Sequence, residues 1–180
     1  MADRERPSIP EAVKVEVFFR DHWLCYLCRR PTVFPMAFKL LSEVVESELP
    51  GVPLAFYHPH WRRDQSPLLD ELGVEVDHVH AFSKDGADDI ANFATVCVKC
   101  NTRKSARSKD TYLEESNPWT VKAKHGEPEH WDGLASLFVV LARKTKRPLT
   151  STEKEWLRAF EAHYKAMEDA PSLPPPITPQ

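Results

Sequence analysis

The alternation of apolar and polar positions along the chain predicts a small core of two strands and a helix. Residues 73–79 alternate between apolar and polar side chains and are rich in β-branched residues, which predicts a strand. A loop over residues 88–93 leads into a second predicted strand at residues 94–96. Residues 101–109 contain no helix breaker and carry several cations, which predicts a short exposed helix.

Helical periodicity predicts further helices on both sides of this core. Proline in the first turn marks a helix start within residues 8–21, and residues 31–72 form an insertion with a helical repeat that ends at residues 50–53. One C-terminal helix is predicted over residues 134–142, and a second begins at a capping box over residues 150–153. We expect the apolar face of this last helix to pack into the core; it comprises Trp156, Leu157, Phe160, Tyr164 and Met167.

The composition is that of an ordinary soluble globular chain. Of its 180 residues, 42% are hydrophobic and 28% are charged, which is enough for one compact domain with appendages. The net charge of −3 argues against indiscriminate nucleic-acid binding. No apolar run approaches the ~20 residues that span a bilayer, and the first residues do not resemble a signal peptide. We therefore expect no membrane role and a cytoplasmic location.

All four cysteines fall into two Cys-x-x-Cys pairs. One pair is Cys25 and Cys28, and the other is Cys97 and Cys100. Two such pairs provide the four thiolates of a tetrahedral structural Zn²⁺ site, because each short loop lets two sulfurs reach one ion. Catalytic or redox thiols are the alternative, but two Cys-x-x-Cys pairs in one cytoplasmic chain favour structural zinc. Zn²⁺ is thus the expected structural cofactor.

Asp77 and His78 lie between the two pairs and are available for other chemistry. The chain resembles the HNH endonucleases in four stretches, which are residues 20–28, 76–79, 89–93 and 96–104. The resemblance implies an α+β fold with a ββα-metal (His-Me finger) nuclease core, embraced by a four-cysteine zinc site. We expect an N-terminal helix and a C-terminal helical pair around that core.

The resemblance also implies roles for individual residues. His78 corresponds to the general base, and Asp77 and Asn101 correspond to the ligands of a catalytic metal. Asn92 corresponds to a residue that braces the loop and orients the histidine. An imidazole titrates near neutral pH, which suits a base that accepts a proton from water. The oxygen ligands favour Mg²⁺ or Mn²⁺. Asparagine stands at position 101 where the family name expects histidine, so Zn²⁺ is less favoured as the catalytic ion.

Structural alternatives stay open for several of these residues. A turn residue is the alternative for Asp77, and a half-buried histidine is the alternative for His78. His80 either flanks the metal or faces away along the strand. The cations after the last metal ligand are expected to contact phosphate, with a solvated helix face as the alternative; they are Arg103, Lys104 and Arg107.

The expected function is divalent-metal-dependent hydrolysis of phosphodiester bonds in DNA, by nicking or by double-strand cleavage. Residues 1–110 are predicted to form the nuclease domain, residues 111–170 a helical extension that packs on it, and residues 171–180 a disordered proline-rich tail. A cluster at residues 58–63 is either a contact to DNA or a partner, or a surface loop. The alternatives are a zinc-structured nucleic-acid-binding or adaptor module, and the nuclease subunit of a defence complex. RNA as substrate, a homodimer and a partner protein stay open.

Overall fold

The computed structural model describes residues 8–52, 54, 66–116 and 131–169. The predictions for residues 58–63 and for the tail at residues 171–180 lie outside these described residues. Within them the fold is α+β, because seven α-helices accompany one two-stranded antiparallel sheet. The elements are α1 (Glu11–Arg20), α2 (Pro35–Glu48), α3 (Pro67–Leu72), β1 (Val74–His78), β2 (Phe93–Cys97), α4 (Val98–Lys104), α5 (Lys109–Ser116), α6 (Ala135–Lys144) and α7 (Ser151–Asp169).

The sheet and the helix after it form the centre of the fold. β1 and β2 pair in antiparallel register from Val74 opposite Cys97 to His78 opposite Phe93. α4 follows β2 without a gap and packs against both strands. The predicted order of strand, strand and helix is therefore confirmed. Two 3-10 turns, at Phe82–Lys84 and Ile90–Asn92, form the connection between the strands.

The helix after β2 begins and ends earlier than the sequence predicts. The Sγ of Cys97 accepts a hydrogen bond from the Cys100 N–H, which caps α4 three residues before the predicted start. The helix then ends at Lys104, because Ser105 has a φ of 51° and leaves the helical conformation. A separate helix, α5, begins at Lys109. The prediction of one helix over residues 101–109 is wrong at both ends.

Four of the other helices, α1, α2, α6 and α7, form a layer beside the sheet. α1 packs against α7, α2 against α6, and α6 against α7, so the C-terminal helices are covered by helices from the N-terminal half. Met167 is 58% exposed, so the prediction that it belongs to the packed face of α7 is wrong. The largest side chains of the core are aromatic, and burying so much apolar area provides much of the stability; they include Phe18, Trp23, Phe34, Phe138, Trp156 and Phe160.

A network of charged side chains joins α2 to the start of α7. The guanidinium of Arg147 donates to the carboxylates of Glu43, at 2.8 Å, and Glu153, at 2.7 Å, and Lys39 lies 2.7 Å from Glu153. Glu153 also accepts from the Thr150 N–H, and its own N–H donates to the Thr150 hydroxyl, which confirms the predicted capping box. Hydrogen bonding to Arg147 lowers the pKa of Glu153, whose side chain is fully buried.

The end of α1 is fixed to the second strand and to the loop before it. The Asp21 carboxylate accepts the Thr95 N–H at 2.7 Å, and Arg20 donates to the carbonyls of Ile90 and Phe93. These bonds hold β2 in place at the point where the chain turns into the first cysteine pair. Among the described helices, none combines the length and apolar character that crossing a bilayer requires.

Candidate functional site

The four cysteines converge on one point. The first pair lies in the turn after α1, and the second lies where β2 passes into α4. All four thiols are buried and outside any disulfide, and their sulfur atoms lie within 4.8 Å of one another. The Sγ atoms of Cys28 and Cys97 are 3.9 Å apart, close to the ~3.8 Å sulfur–sulfur distance of a tetrahedron with Zn–S bonds of about 2.3 Å. This four-thiol site is suited to structural zinc.

Hydrogen bonds within the four-thiol site oppose the ionisation of all four sulfurs at once. The pKa of Cys25 is lowered, because its sulfur accepts hydrogen bonds from the other three thiols. The pKa values of Cys28 and Cys97 are raised, because both are hydrogen-bonded to Cys100 and Cys25. Adjacent thiolates repel one another, so full ionisation requires a cation among them. With four sulfur ligands and no open position, the site fits a structural ion rather than a catalytic one.

Three of the four predicted catalytic residues line one surface cleft of about 290 Å³. Asp77 and His78 reach it from the last two positions of β1, and Asn101 reaches it from the middle of α4. Neighbouring strand residues normally face opposite sides, but β1 ends at His78, which lets both side chains border the cleft. The other lining residues of this Asp77 cleft are Ala81, Phe82, Ser83, Ser105 and Ala106.

The Asp77 carboxylate is held through one of its two oxygens. Its Oδ2 accepts a hydrogen bond from the Tyr26 hydroxyl at 2.7 Å and lies 2.9 Å from the Lys104 ammonium. Both donors bind Oδ2, so Oδ1 is the oxygen left for a cation. Burial, together with the charge of Asp77, raises the pKa of Tyr26, which keeps its hydroxyl protonated as a donor.

The sequence predicts that Lys104 lies on an exposed helix face, but the structure places it inside the molecule. It is fully buried, and its ammonium also donates to the His78 carbonyl at 3.3 Å. The reason is that α4 runs from Val98 to Lys104, which places Lys104 one turn after Asn101 on the face toward β1. The ammonium therefore neutralises Asp77 inside the molecule, and the prediction of an exposed Lys104 is wrong.

Asn101 is oriented by a carboxylate that the sequence interpretation overlooked. Its Nδ2 donates to Glu75 Oε2 at 2.6 Å, which leaves the amide oxygen as the atom that can bind a cation. Glu75 precedes Asp77 by two positions on β1, so the two side chains share a face of the strand. Together, Asp77 and Asn101 supply oxygen ligands of the kind that Mg²⁺ and Mn²⁺ prefer.

His78 is buried between aromatic rings and bonded to an acidic loop residue. Its ring centroid lies 4.8 Å from that of Phe93 and 5.7 Å from that of Phe82. Its Nε2 lies 3.0 Å from Oδ1 of Asp88. In the tautomer in which Nε2 donates to Asp88, Nδ1 of the neutral imidazole is the nitrogen that can accept a proton.

Asn92 lies outside the lining of the Asp77 cleft and closes the loop beside it. Its Nδ2 donates to the carbonyls of His80 and Ala87, at 2.9 and 2.8 Å, and its Oδ1 accepts the His80 N–H at 2.8 Å. A Cβ added to Gly86 would lie 1.9 Å from the His80 carbonyl oxygen, so this loop requires glycine there. These contacts hold the segment that carries Asp88.

The two arginines predicted to contact nucleic acid differ in their surroundings. Arg107 binds the carbonyls of Lys104, at 3.2 Å, and Arg103, and its guanidinium lies 5.6 Å from the Tyr112 ring centroid. It therefore caps the C-terminal end of α4. Arg103 is exposed on the same helix. Nucleic-acid binding by either arginine stays a prediction.

Sequence interpretation missed three residues of this site, and one of them left a readable signal. Glu75 could have been predicted from the two-residue period of β1. Tyr26 and Asp88 have no such signal, because their partners are 51 and 10 positions away and only the folded chain brings them together.

A comparison with protein families matches this region of the chain. Residues 66–107, which contain β1, β2 and α4, match the family model of the HNH endonucleases and make up less than a quarter of the chain. The match confirms the resemblance drawn from the sequence motifs. No curated protein and no solved structure matches the chain.

Proposed function

We propose, on the premise that residues 66–107 match the HNH endonucleases, that this protein is a divalent-metal-dependent endonuclease that cleaves DNA by nicking or double-strand cleavage. The observation that carries the proposal is the single cleft that Asp77, His78 and Asn101 line. The four-thiol site supports it as a separate structural centre, because two different metals then have two different sets of ligands.

Asp77 and Asn101 would hold the catalytic cation, Mg²⁺ or Mn²⁺. When bound, such a cation neutralises the negative charge that grows on the phosphate and on the leaving oxygen. Asp77 presents Oδ1 because Tyr26 and Lys104 hold Oδ2. Asn101 presents its amide oxygen because Glu75 binds its nitrogen.

His78 would act as the general base that takes a proton from the attacking water. Asp88 holds the imidazole through Nε2, and the rings of Phe82 and Phe93 restrict its rotation. A base held in one orientation loses less entropy on reaching the transition state. Asn92 supports this arrangement at one remove, since it closes the loop that leads to Asp88.

The substrate would lie across the end of α4. We place phosphate contacts at Arg103 and Arg107, which fix a nucleic acid without reading its sequence. DNA is the proposed substrate, and RNA would present the same phosphates. A homodimer or a partner protein is compatible with this arrangement.

One observation favours a second function, that of a zinc-structured nucleic-acid-binding or adaptor module. The Lys104 ammonium lies 2.9 Å from Asp77, so the carboxylate already has a cationic partner without any metal. A nuclease subunit that is active only with a partner in a defence complex would also have a neutralised site when alone. The cleavage assay below separates these functions.

The test is plasmid cleavage by the wild type, His78→Ala and His80→Ala in EDTA, Mg²⁺ and Mn²⁺, with zinc measured on the same samples. His80 is a matched control because it is exposed, two residues away and outside the lining of the Asp77 cleft. We expect the wild type and His80→Ala to cleave only with Mg²⁺ or Mn²⁺, and His78→Ala to be inactive, with about one zinc per chain in all three. Absence of cleavage by a folded, zinc-containing wild type would favour the binding module or partner-dependent subunit.

A further inference from the structure

We infer that Tyr26 is a positioning residue that links the four-thiol site to Asp77 and sets the affinity of the Asp77 cleft for its cation. The inference rests on the proposed function, because it concerns the same cation site. It assigns a role to a residue that lies inside the first cysteine pair, between Cys25 and Cys28.

The main chain of Tyr26 is fixed by the fold around the thiols. Its N–H donates to the Thr95 carbonyl at 2.9 Å, which ties the turn to β2. On either side of it, the Cys25 N–H donates to Arg30 and the Arg29 N–H donates to Cys25. The side chain then extends from this turn to Asp77, where its hydroxyl donates at 2.7 Å.

The second donor to the same oxygen comes from the second cysteine pair. Lys104 lies on α4, four positions after Cys100, and its ammonium is 2.9 Å from Oδ2 of Asp77. Tyr26, from the first cysteine pair, and Lys104, from the helix that follows the second, therefore bind the same oxygen of Asp77. An ion that draws the two halves together also sets the positions of both donors.

The consequence is a coupling between the two metal sites. Tyr26 and Lys104 fix the carboxylate rotation that turns Oδ1 toward the cation, and partners of this kind typically change metal affinity by about 10–100-fold. Loss of zinc would release both donors and weaken cation binding in the Asp77 cleft. Coupling is reciprocal, so a bound cation in the cleft would in turn strengthen zinc retention.

The experiment compares Tyr26→Phe with Tyr164→Phe. Tyr164 is a matched control because its hydroxyl also bonds an aspartate, Asp132, at 3.4 Å and outside the Asp77 cleft. Mn²⁺ affinity is measured by electron paramagnetic resonance of the free ion, beside zinc content, thermal unfolding and cleavage rate against Mn²⁺ concentration. We expect Tyr26→Phe to bind Mn²⁺ about tenfold more weakly, with unchanged zinc, and to recover its cleavage rate at saturating Mn²⁺. Tyr164→Phe should match the wild type.

The outcomes separate this inference from the proposed function. A wild type that neither binds Mn²⁺ in the Asp77 cleft nor cleaves DNA overturns both. A wild type that does both, beside a Tyr26→Phe variant of equal Mn²⁺ affinity, overturns the inference alone.

A second measurement does not depend on how Tyr26→Phe folds. The chain has four tyrosines, so fluorotyrosine incorporation gives few fluorine resonances, and that of Tyr26 is assigned by replacing the other three with phenylalanine. The Tyr26 resonance should shift on Mg²⁺ titration while that of Tyr164 stays unchanged. A Tyr26 resonance that does not move would contradict the inference.

Discussion

At the scale of single residues, the site consists of polar groups that are buried in pairs. Lys104 is fully buried, and Asp77 and His78 are nearly so, yet each has a partner of opposite charge or a hydrogen bond. Burying an unpaired charge is costly, so such groups persist only where their partners are fixed. This free-energy cost explains why the residues that bind Asp77, His78 and Lys104 are as important to the site as the atoms that would contact substrate.

Asp88 offers a direct test at this scale. Asp88→Asn removes the charge that binds His78 Nε2, and we expect kcat to fall at least about tenfold with KM nearly unchanged, because ground-state binding does not involve this pair. Asp89→Asn is the control, since the Asp89 side chain caps the following 3-10 turn and asparagine caps equally well. Steady-state cleavage kinetics measure both. Equal kcat values for the two variants would show that the Asp88 charge does not support His78.

At the scale of elements, sequence patterns predicted periodic segments better than their ends. The apolar period of β1, the helix start near Pro10 and the capping box of α7 act within a few neighbouring residues, and each is confirmed, although Pro10 is the N-cap of α1 and not part of its first turn. The start of α4 depends on a sulfur cap and its end on Ser105, and neither has a periodic signal. Helix ends are decided by single backbone groups, which explains the wrong prediction there.

The same limit applies to the Asp77 cleft. Motif resemblance pointed to Asp77, His78 and Asn101, and the structure brings all three to one cleft. It did not reveal that Lys104 turns inward, because the partners of its ammonium, Asp77 and the His78 carbonyl, are 27 and 26 positions away and only the folded chain brings them together.

The network between α2 and α7 gives an element-scale prediction. Removing one partner of a buried ion pair costs roughly 3–5 kcal/mol, but Arg147 is one-third exposed and keeps Glu43. We therefore expect Glu153→Gln to lower the free energy of unfolding by about 2 kcal/mol at neutral pH. The exposed Glu155→Gln on the same helix should change it by less than about 0.5 kcal/mol. Urea unfolding at several pH values measures both.

The pH dependence of that difference follows from the lowered pKa of Glu153. A carboxyl group with a folded-state pKa below its ordinary value of 4.5 stabilises the fold above that value. The wild-type advantage over Glu153→Gln should be constant above about pH 4.5 and shrink as the pH falls further. An advantage that grew on acidification would contradict the assigned pKa direction.

At the scale of the whole molecule, the four-thiol site and the aromatic layer hold different parts of the chain. The thiols join the turn after α1 to the end of β2, while the aromatic cluster joins α1, α2, α6 and α7. The Asp77 cleft lies on the sheet and α4, and Tyr26, from the first cysteine pair, binds its carboxylate. The geometry of the cleft should therefore depend on zinc more than on the helical layer.

Loss of a zinc ligand tests this dependence. Cys97→Ser should lose zinc and lower Tm by at least about 10 °C, because structural zinc contributes several kcal/mol and 1 kcal/mol shifts Tm by about 2–4 °C at this size. Differential scanning calorimetry with zinc analysis measures both quantities. Zinc-stripped wild type is the control and should melt with the variant. A variant that keeps zinc, or melts with zinc-loaded wild type, would show that Cys97 is not a ligand.

The separation of the two cysteine pairs along the chain also determines the stage of folding at which zinc can bind all four sulfurs. Cys28 and Cys97 are 69 positions apart, and closing a loop of that length is slow compared with forming α1 or α7. The complete set of four sulfurs exists only after that closure, so we expect full coordination of the ion to come late in folding. Interactions absent from the transition state slow unfolding and leave the folding rate almost unchanged. Bound zinc would therefore lengthen the lifetime of the folded protein rather than hasten its formation.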